Sequence, residues 1–132
     1  MKARLRAVAP YSRFRVGAAL VANSGKVYLG ANVESASYGL SCCAERIALF
    51  KALTDGERRF GAIAVVAPVA GGPMPCGACR QLLAEYAPEA VFLTADSRKP
   101  SVPRKFEIKS LLPEAFTLRP LEVSKLRKQS EY

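Results

Sequence analysis

The sequence predicts an α/β fold, a three-layer α/β/α sandwich around a mixed β-sheet. Apolar runs of strand length alternate with helical segments along the 132 residues. Two of these runs, Val16–Ala22 and Val27–Asn32, flank the turn sequence Asn23-Ser24-Gly25 and predict a hairpin. A helical segment that ends at Leu53 is apolar on almost every side, and such a helix is expected to be buried against a sheet.

The first part of the chain contains further signals of local structure. The segment Met1–Ala9 is basic and predicts a short helix that ends before a proline. Gly17 and Gly30 lie inside the two hairpin strands, where glycine indicates a bulge or the close approach of another backbone. Ser41 or Cys42 is expected to cap the apolar helix.

The second half of the chain continues the alternation. Phe60–Val66 predicts a buried strand, and Cys76 is expected to open a helix that ends at Pro88. The side chains of this helix expected to face inward are Leu82, Leu83 and Tyr86. The remaining predictions are strands at Ala90–Thr94 and Lys105–Ile108, a loop over 97–105, and a turn or helix over Leu111–Phe116. We expect residues 1–132 to form one domain, with a mobile basic tail from about residue 120.

Composition narrows the function classes. Half of the residues are hydrophobic, which excludes a disordered chain. No apolar run approaches the roughly 20 residues of a membrane span, and the first residues lack the apolar segment of a signal peptide. The expected compartment is therefore the cytoplasm. In that reducing environment four cysteines indicate metal binding or catalysis rather than disulfides.

The net charge of +9 is located at the two ends of the chain. Residues 1–15 carry five basic and no acidic side chains, and residues 98–132 carry nine basic and four acidic ones. The stretch between them carries six basic and seven acidic side chains. Basic ends with few aromatic residues are more typical of a solvated surface than of a nucleic-acid groove, so nucleic acid is not an expected partner.

The cysteines predict a metal site with an open position. Cys42 and Cys43 are neighbours, and on a helix their side chains diverge by about 100°, so only one of them is expected to join Cys76 and Cys79 at one ion. Three protein ligands leave the fourth position of tetrahedral zinc to water, as in catalytic sites. A redox pair at Cys76 and Cys79 and a structural zinc are the alternatives, but the latter lacks a fourth ligand.

An open zinc site needs a base for the proton of its water. The chain has no histidine, so a carboxylate must take this role. Glu45 lies two residues from Cys43 in an apolar stretch, and burial is expected to raise its pKa toward neutrality.

These residues resemble the cytidine deaminase family. The sequence C-A-E followed by P-C-x-x-C matches the three-cysteine form of the zinc-deaminase signature. The wider resemblance covers Pro10–Leu20, Asn32–Glu34, Ser37–Gly39, Cys43–Arg46, Pro75–Gln81 and Leu111–Phe116. It implies that Cys43, Cys76 and Cys79 bind one zinc per chain and that Glu45 moves protons during catalysis.

The resemblance also implies a reaction and a set of substrate contacts. The reaction is the hydrolytic deamination of cytidine and deoxycytidine to uridine and deoxyuridine, in pyrimidine salvage. The implied contacts are Phe14, Asn32, Val33, Glu34, Ala44 and Phe116. Asn32 and Glu34 would hold the ribose hydroxyls. Phe14 and Phe116 resemble the aromatic residues that pack on the pyrimidine, with Phe116 reaching into a neighbouring subunit.

Two arginines adjoin the predicted ligands. Three thiolates leave a zinc site formally anionic, and Arg46 and Arg80 are expected to offset this charge by hydrogen bonding to the sulfurs. All three cysteines also fall at predicted helix N-termini, where the partial positive charge favours thiolates.

The sequence also allows other functions, and it predicts an oligomer. One alternative is a deaminase of a modified cytosine nucleoside, of the blasticidin type, although Asn32-Val33-Glu34 favours an ordinary ribose. Others are a nucleic-acid-editing cytosine deaminase and a non-catalytic zinc module. A small chain with a helix this apolar is expected to oligomerise, and the resemblance implies a homotetramer.

Overall fold

The computed structural model describes residues 1–118, and the predicted tail from about residue 120 lies outside them. The strands are β1 (Gly17–Ala22), β2 (Val27–Ala31), β3 (Phe60–Ala67), β4 (Val91–Asp96) and β5 (Arg104–Glu107). The α-helices are α1 (Ala44–Thr54), α2 (Gly77–Tyr86) and α3 (Ile108–Leu111). Short 3₁₀ helices lie at Lys2–Arg6 and Tyr38–Leu40.

The five strands form one mixed sheet in the order β2-β1-β3-β4-β5. β3 and β4 are parallel, and the other neighbours are antiparallel. The parallel pair needs a crossover connection, and α2 provides it. The predicted mixed sheet and the predicted hairpin of β1 and β2 are therefore confirmed.

The hydrophobic core lies between one face of this sheet and the three α-helices. The sheet contributes Ala18, Leu20, Ile63, Val65 and Phe92, and the helices contribute Ala48, Leu49, Ala52, Leu83, Ile108 and Leu111. Burial alternates along β3 from Ala62 to Ala67, as expected for a strand with one covered face. α1 is packed against β1 and β2, so its N-terminus is held over the hairpin.

Two glycines bring helices onto the two faces of the hairpin. A Cβ atom at Gly30 would lie 2.6 Å from the backbone nitrogen of Ala48 in α1. A Cβ at Gly17 would lie 2.6 Å from the backbone nitrogen of Arg4 in the N-terminal 3₁₀ helix. Because Gly30 pairs with Ala18 and not with Gly17, the two glycines point to opposite faces. The predicted close approaches and the three-layer α/β/α arrangement are thus confirmed.

Several local predictions need correction. The short helix predicted within Met1–Ala9 is a 3₁₀ helix and is confined to Lys2–Arg6. The cap of α1 is Cys43, because Cys42 is still extended and pairs with Val33. Tyr86 is 44% exposed rather than inward-facing, since Ala87 takes the buried position at the end of α2.

The end of the described chain also differs from expectation. The last strand stops at Glu107, because Ile108 and Leu111 are buried three residues apart and form one helical turn. The residues that follow Leu111 form the predicted turn. Within residues 1–118, no helix is long and apolar enough to cross a lipid bilayer.

The close contact at Gly30 predicts a stability effect. We expect Gly30→Ala to lower the free energy of unfolding by about 1–3 kcal/mol in urea titrations, because the added methyl would overlap the backbone of α1. The control is Gly61→Ala in β3, where the nearest atom to a Cβ is 3.9 Å away. Equal losses in the two variants would contradict the packing argument.

Candidate metal centre and active site

Three cysteines lie at the N-termini of two helices. Cys43 is the N-cap of α1, and Cys76 is the N-cap of α2. Cys79 is in the first turn of α2 and is 1% exposed. The exposed N–H groups and the helix dipole at these ends favour negative charge on the three sulfurs.

The three sulfur atoms are as close together as zinc requires. The Sγ of Cys76 lies 3.6 Å from the Sγ of Cys43 and 3.4 Å from the Sγ of Cys79. All three lie within 4.8 Å of one another. A tetrahedral zinc with Zn–S bonds of about 2.3 Å separates its sulfurs by about 3.8 Å, so the cluster fits this ion. The Cys42 thiol is not part of the group.

Hydrogen bonding within the cluster favours ionisation of Cys43. The neighbouring Cys79 thiol is the main cause that lowers the pKa of the Cys43 thiol to about 5, and Arg46 adds to this effect. The pKa of Cys79 is raised, first by the neighbouring Cys43 sulfur and then by burial of the thiol. A metal that binds all three sulfurs must therefore displace protons from the cluster.

The two arginines occupy different environments. Arg46 donates from Nη2 to the Sγ of Cys43 at 3.6 Å and to the carbonyl of Ser41 at 3.1 Å. Arg80 donates instead to two carbonyls, from Nε to Pro75 at 2.8 Å and from Nη1 to Leu111 at 2.8 Å. The expected bond from Arg80 to a sulfur is thus replaced by bonds to the backbone, which fix the residue before Cys76.

Glu45 lies in the first turn of α1, two residues after Cys43. It is only 6% exposed, and burial is the main cause that raises the pKa of its carboxyl group. The same cavity is lined by Glu45 and by the two helix caps, Cys43 and Cys76. This places a carboxyl group that can hold a proton beside the sulfur cluster.

The cavity has a volume of about 380 Å³, within the range of small-molecule sites. Its lining consists of Phe14, Val16, Asn32, Val33, Glu34, Tyr38, Ser41, Cys42, Cys43, Ala44, Glu45, Arg46, Pro73, Met74 and Cys76. Five of the six implied substrate contacts are in this lining, and Phe116 is not. A lining that combines apolar side chains with several polar ones is suited to a flat, polar-edged ring.

Asn32 follows β2 and fixes the segment that carries Phe14. Its Oδ1 accepts from the backbone N–H of Val16 at 2.9 Å, and its Nδ2 donates to the carbonyl of Phe14 at 2.8 Å. One lone pair and one N–H of the amide remain for a ligand. In this structure Asn32 therefore positions the wall of the cavity as well as lining it.

Glu34 is held by three donors from one loop. Its Oε1 accepts from the backbone N–H groups of Tyr11 and Ser12, each at 3.1 Å. Its Oε2 accepts from the hydroxyl of Ser12 at 2.6 Å. These bonds, the Ser12 hydroxyl first, lower the pKa of Glu34. The carboxylate stays ionised and can accept a further bond only from a donor such as a hydroxyl.

The remaining implied contacts differ in their surroundings. Ala44 is fully buried at the start of α1, and Val33 is joined to Cys42 by two backbone hydrogen bonds. Phe116 is 68% exposed and is held through its carbonyl, which accepts from Nε2 of Gln81 at 3.0 Å. Its ring is therefore on the surface of this chain and outside the cavity.

Sequence reasoning gave no role to four residues that shape this site. Tyr38, Pro73 and Met74 line the cavity, and Ser12 holds Glu34. Tyr38 and Ser12 lie inside the segments that resemble the cytidine deaminases. The resemblance therefore covers both residues, but no role was predicted for either. Pro73 and Met74 precede Cys76 in a loop whose path the sequence does not define.

Comparison with known proteins agrees with this geometry. The profile of the family described as the cytidine and deoxycytidylate deaminase zinc-binding region matches residues 1–95. The chain belongs to this deaminase family. A cytidine deaminase from Halalkalibacterium halodurans is 49% identical over 117 residues, which cover 89% of this chain and 88% of that protein.

Solved structures show the same family likeness. The crystal structure of cytidine deaminase from Burkholderia pseudomallei matches with a TM-score of 0.82 and 51% identity, over 87% of this chain and 91% of that one. The cytidine deaminase from Mycobacterium tuberculosis matches with a TM-score of 0.75 and 41% identity, over 89% and 90%. The deaminase family binds zinc, and the sulfur cluster fits this ion, so the expected cofactor, one zinc per chain, is confirmed.

The cluster predicts which thiols retain the metal. Cys43→Ser, Cys76→Ser and Cys79→Ser should each reduce the zinc content of the purified protein from about one ion per chain toward zero. Cys42→Ser is the matched control and should keep one zinc, measured by atomic emission. Loss of zinc from the Cys42 variant to the same extent would place that thiol among the ligands.

Proposed function

We propose that the chain catalyses the zinc-dependent hydrolytic deamination of cytidine and deoxycytidine, which yields uridine or deoxyuridine and ammonia. The observation that carries this proposal is the buried Glu45 beside a three-thiol cluster in one cavity of nucleoside size. It is supported by relatives named cytidine deaminase along most of the chain.

The residues that would hold the metal are Cys43, Cys76 and Cys79. When bound, zinc lowers the pKa of a water molecule and supplies a nucleophile near neutral pH. Arg46 contributes by hydrogen bonding to the Cys43 sulfur, which draws off part of the thiolate charge. Arg80 contributes through the backbone, because it fixes the carbonyl of Pro75 next to Cys76.

Glu45 moves protons in the proposed reaction. It accepts a proton from the attacking water and delivers it to N3 of the cytosine ring. It then takes the remaining proton from the hydroxyl added at C4 and transfers it to the amino group on C4. The amino group leaves as ammonia, and C4 becomes the carbonyl of uridine. A carboxyl group with a raised pKa exchanges protons readily near neutral pH, and burial provides that raised pKa.

Glu34 favours a nucleoside over a nucleic acid as the substrate. The ionised carboxylate accepts hydrogen bonds, and the hydroxyls of a free ribose can donate them. In a polynucleotide the sugar oxygen joined to phosphate has no proton to donate. The negative charge of the phosphate would also be repelled by the carboxylate of Glu34. This supports the ordinary nucleoside over an editing enzyme, and nothing in the cavity favours a modified cytosine.

We also propose that the enzyme is a homotetramer in which Phe116 contributes to a neighbouring site. Exposed apolar side chains include Leu5, Val8, Tyr38, Leu40, Phe50 and Phe116. Tyr38, which is 87% exposed, is also part of the cavity lining, so a second chain that covered it would close the site.

The biological setting follows from the reaction and from the thiols. We propose pyrimidine salvage as the setting, because the reaction recovers uridine from cytidine. We propose the cytoplasm as the compartment, because its reducing conditions keep free thiols from forming disulfides. We propose that residues 1–132 form one domain, because one core cluster extends from Ala18 to Leu111.

The decisive test is the loss of cytidine absorbance in the ultraviolet. The wild-type protein should convert cytidine, and prior treatment with a zinc chelator should abolish the conversion. Glu45→Gln should lower kcat by about 1000-fold, because an amide does not relay a proton, while zinc content and thermal stability stay unchanged. Turnover close to wild type in this variant would require a different base and would contradict the mechanism.

The placement of Phe116 predicts complementation between chains. Glu45→Gln chains and Phe116→Ala chains, unfolded and refolded together, should form some sites with Glu45 from one chain and Phe116 from another. The activity of the mixture should then exceed the sum of the two proteins refolded separately. Mass spectrometry must show mixed oligomers, and mixed oligomers without this gain would mean that each site is built within one chain.

A further inference from the structure

We propose that Ser12 is a positioning residue for sugar recognition, a role that rests on the nucleoside substrate proposed above. Ser12 lies in the loop before β1, outside the cavity lining. Its hydroxyl connects two residues of the lining, because it bonds to the carboxylate of Glu34 and to the backbone N–H of Phe14. It orients the carboxylate of Glu34, and it fixes the backbone from which Phe14 extends.

The first step in the argument is the shape of the loop. Ser12 donates its hydroxyl proton to Oε2 of Glu34 at 2.6 Å and accepts from the backbone N–H of Phe14 at 3.0 Å. Arg13, between these two residues, has a φ of 56°, in the left-handed region that non-glycine residues rarely adopt. The hydroxyl thus stabilises a backbone conformation that Arg13 does not favour by itself.

The second step concerns the free acceptor of Glu34. Oε1 is occupied by the N–H groups of Tyr11 and Ser12, which leaves Oε2 as the less crowded oxygen. The Ser12 hydroxyl takes one lone pair of Oε2, and the other remains for a sugar hydroxyl. A carboxylate fixed by three donors has lost its rotational freedom before the substrate arrives, and this pre-organisation strengthens binding.

The third step separates this role from an ordinary surface serine. Ser24 provides a matched comparison in the same chain. Its hydroxyl also donates to a glutamate, to Oε1 of Glu57 at 2.6 Å, and also accepts from a backbone N–H two residues on, that of Lys26 at 3.4 Å. Neither Glu57 nor Ser24 lines the cavity. Removal of the Ser24 hydroxyl therefore breaks the same kind of serine–glutamate hydrogen bond as removal of the Ser12 hydroxyl. It does so at residues that do not line the cavity.

The test measures kcat and KM for Ser12→Ala on cytidine and on 2′,3′-dideoxycytidine, which lacks the 2′- and 3′-hydroxyls. With cytidine, KM should rise about 3- to 10-fold, the usual effect of a lost hydrogen bond, and kcat should change less than twofold. With the dideoxy substrate, the rise in KM should be smaller than with cytidine, because only the contact of Ser12 with the backbone of Phe14 matters to both substrates. Ser12→Thr keeps the hydroxyl and should restore most of the affinity, and Ser24→Ala should match wild type on both substrates.

The outcomes distinguish this inference from the proposed function. If wild type converts cytidine and Ser12→Ala keeps its KM, the inference is overturned and the function stands. Equal losses on the two substrates would also overturn it, whatever the melting temperature, because they show that the effect does not depend on the sugar hydroxyls. If wild type converts no cytidine, the proposed function fails and this inference fails with it.

Discussion

The structure depends on bringing the N-termini of two helices to one point. Cys43 caps α1 and Cys76 caps α2, so the sulfur cluster exists only if both helices begin at the same place. α1 reaches that place because Gly30 leaves no side chain between it and β2. α2 reaches it because the crossover from β3 to the parallel β4 starts at the same end of the sheet. Each helix also supplies backbone N–H groups and a dipole that lower the cost of gathering thiolates.

The same convergence explains the chemistry of the neighbouring groups. A residue in the first turn of α1 is close to the sulfurs and, because α1 is packed against the sheet, it is also buried. Glu45 has both properties, and its raised pKa follows from the second. Glu34 is the opposite case, since three donors from one loop hold it ionised. One cavity therefore contains a carboxyl group suited to moving protons and a carboxylate suited to binding hydroxyls.

The features that the sequence predicted are those with a local or periodic signal. The hairpin has a turn sequence between two apolar runs, the close approaches have glycines, and the metal group has cysteine spacing. The features that it missed depend on contacts between distant segments. The cap moved to Cys43 because Cys42 pairs with Val33, and Arg80 bonds to the carbonyl of Leu111, 31 residues away. The donors to Glu34 are Tyr11 and Ser12, 23 and 22 positions earlier in the sequence. Sequence periodicity does not predict a hydrogen bond over this distance.

The exposure of Phe116 connects the fold to the assembly. Within one chain the ring lies on the surface, and the cavity that would hold the pyrimidine has an exposed rim that includes Tyr38. Proton transfer by a buried carboxyl group works best when bulk water is excluded. The exposed rim admits water to this cavity unless a second protein surface covers it. A second chain that places an aromatic ring over the rim would exclude water and bury two exposed aromatic side chains at once. The proposed oligomer would then serve the reaction as well as cover apolar surface.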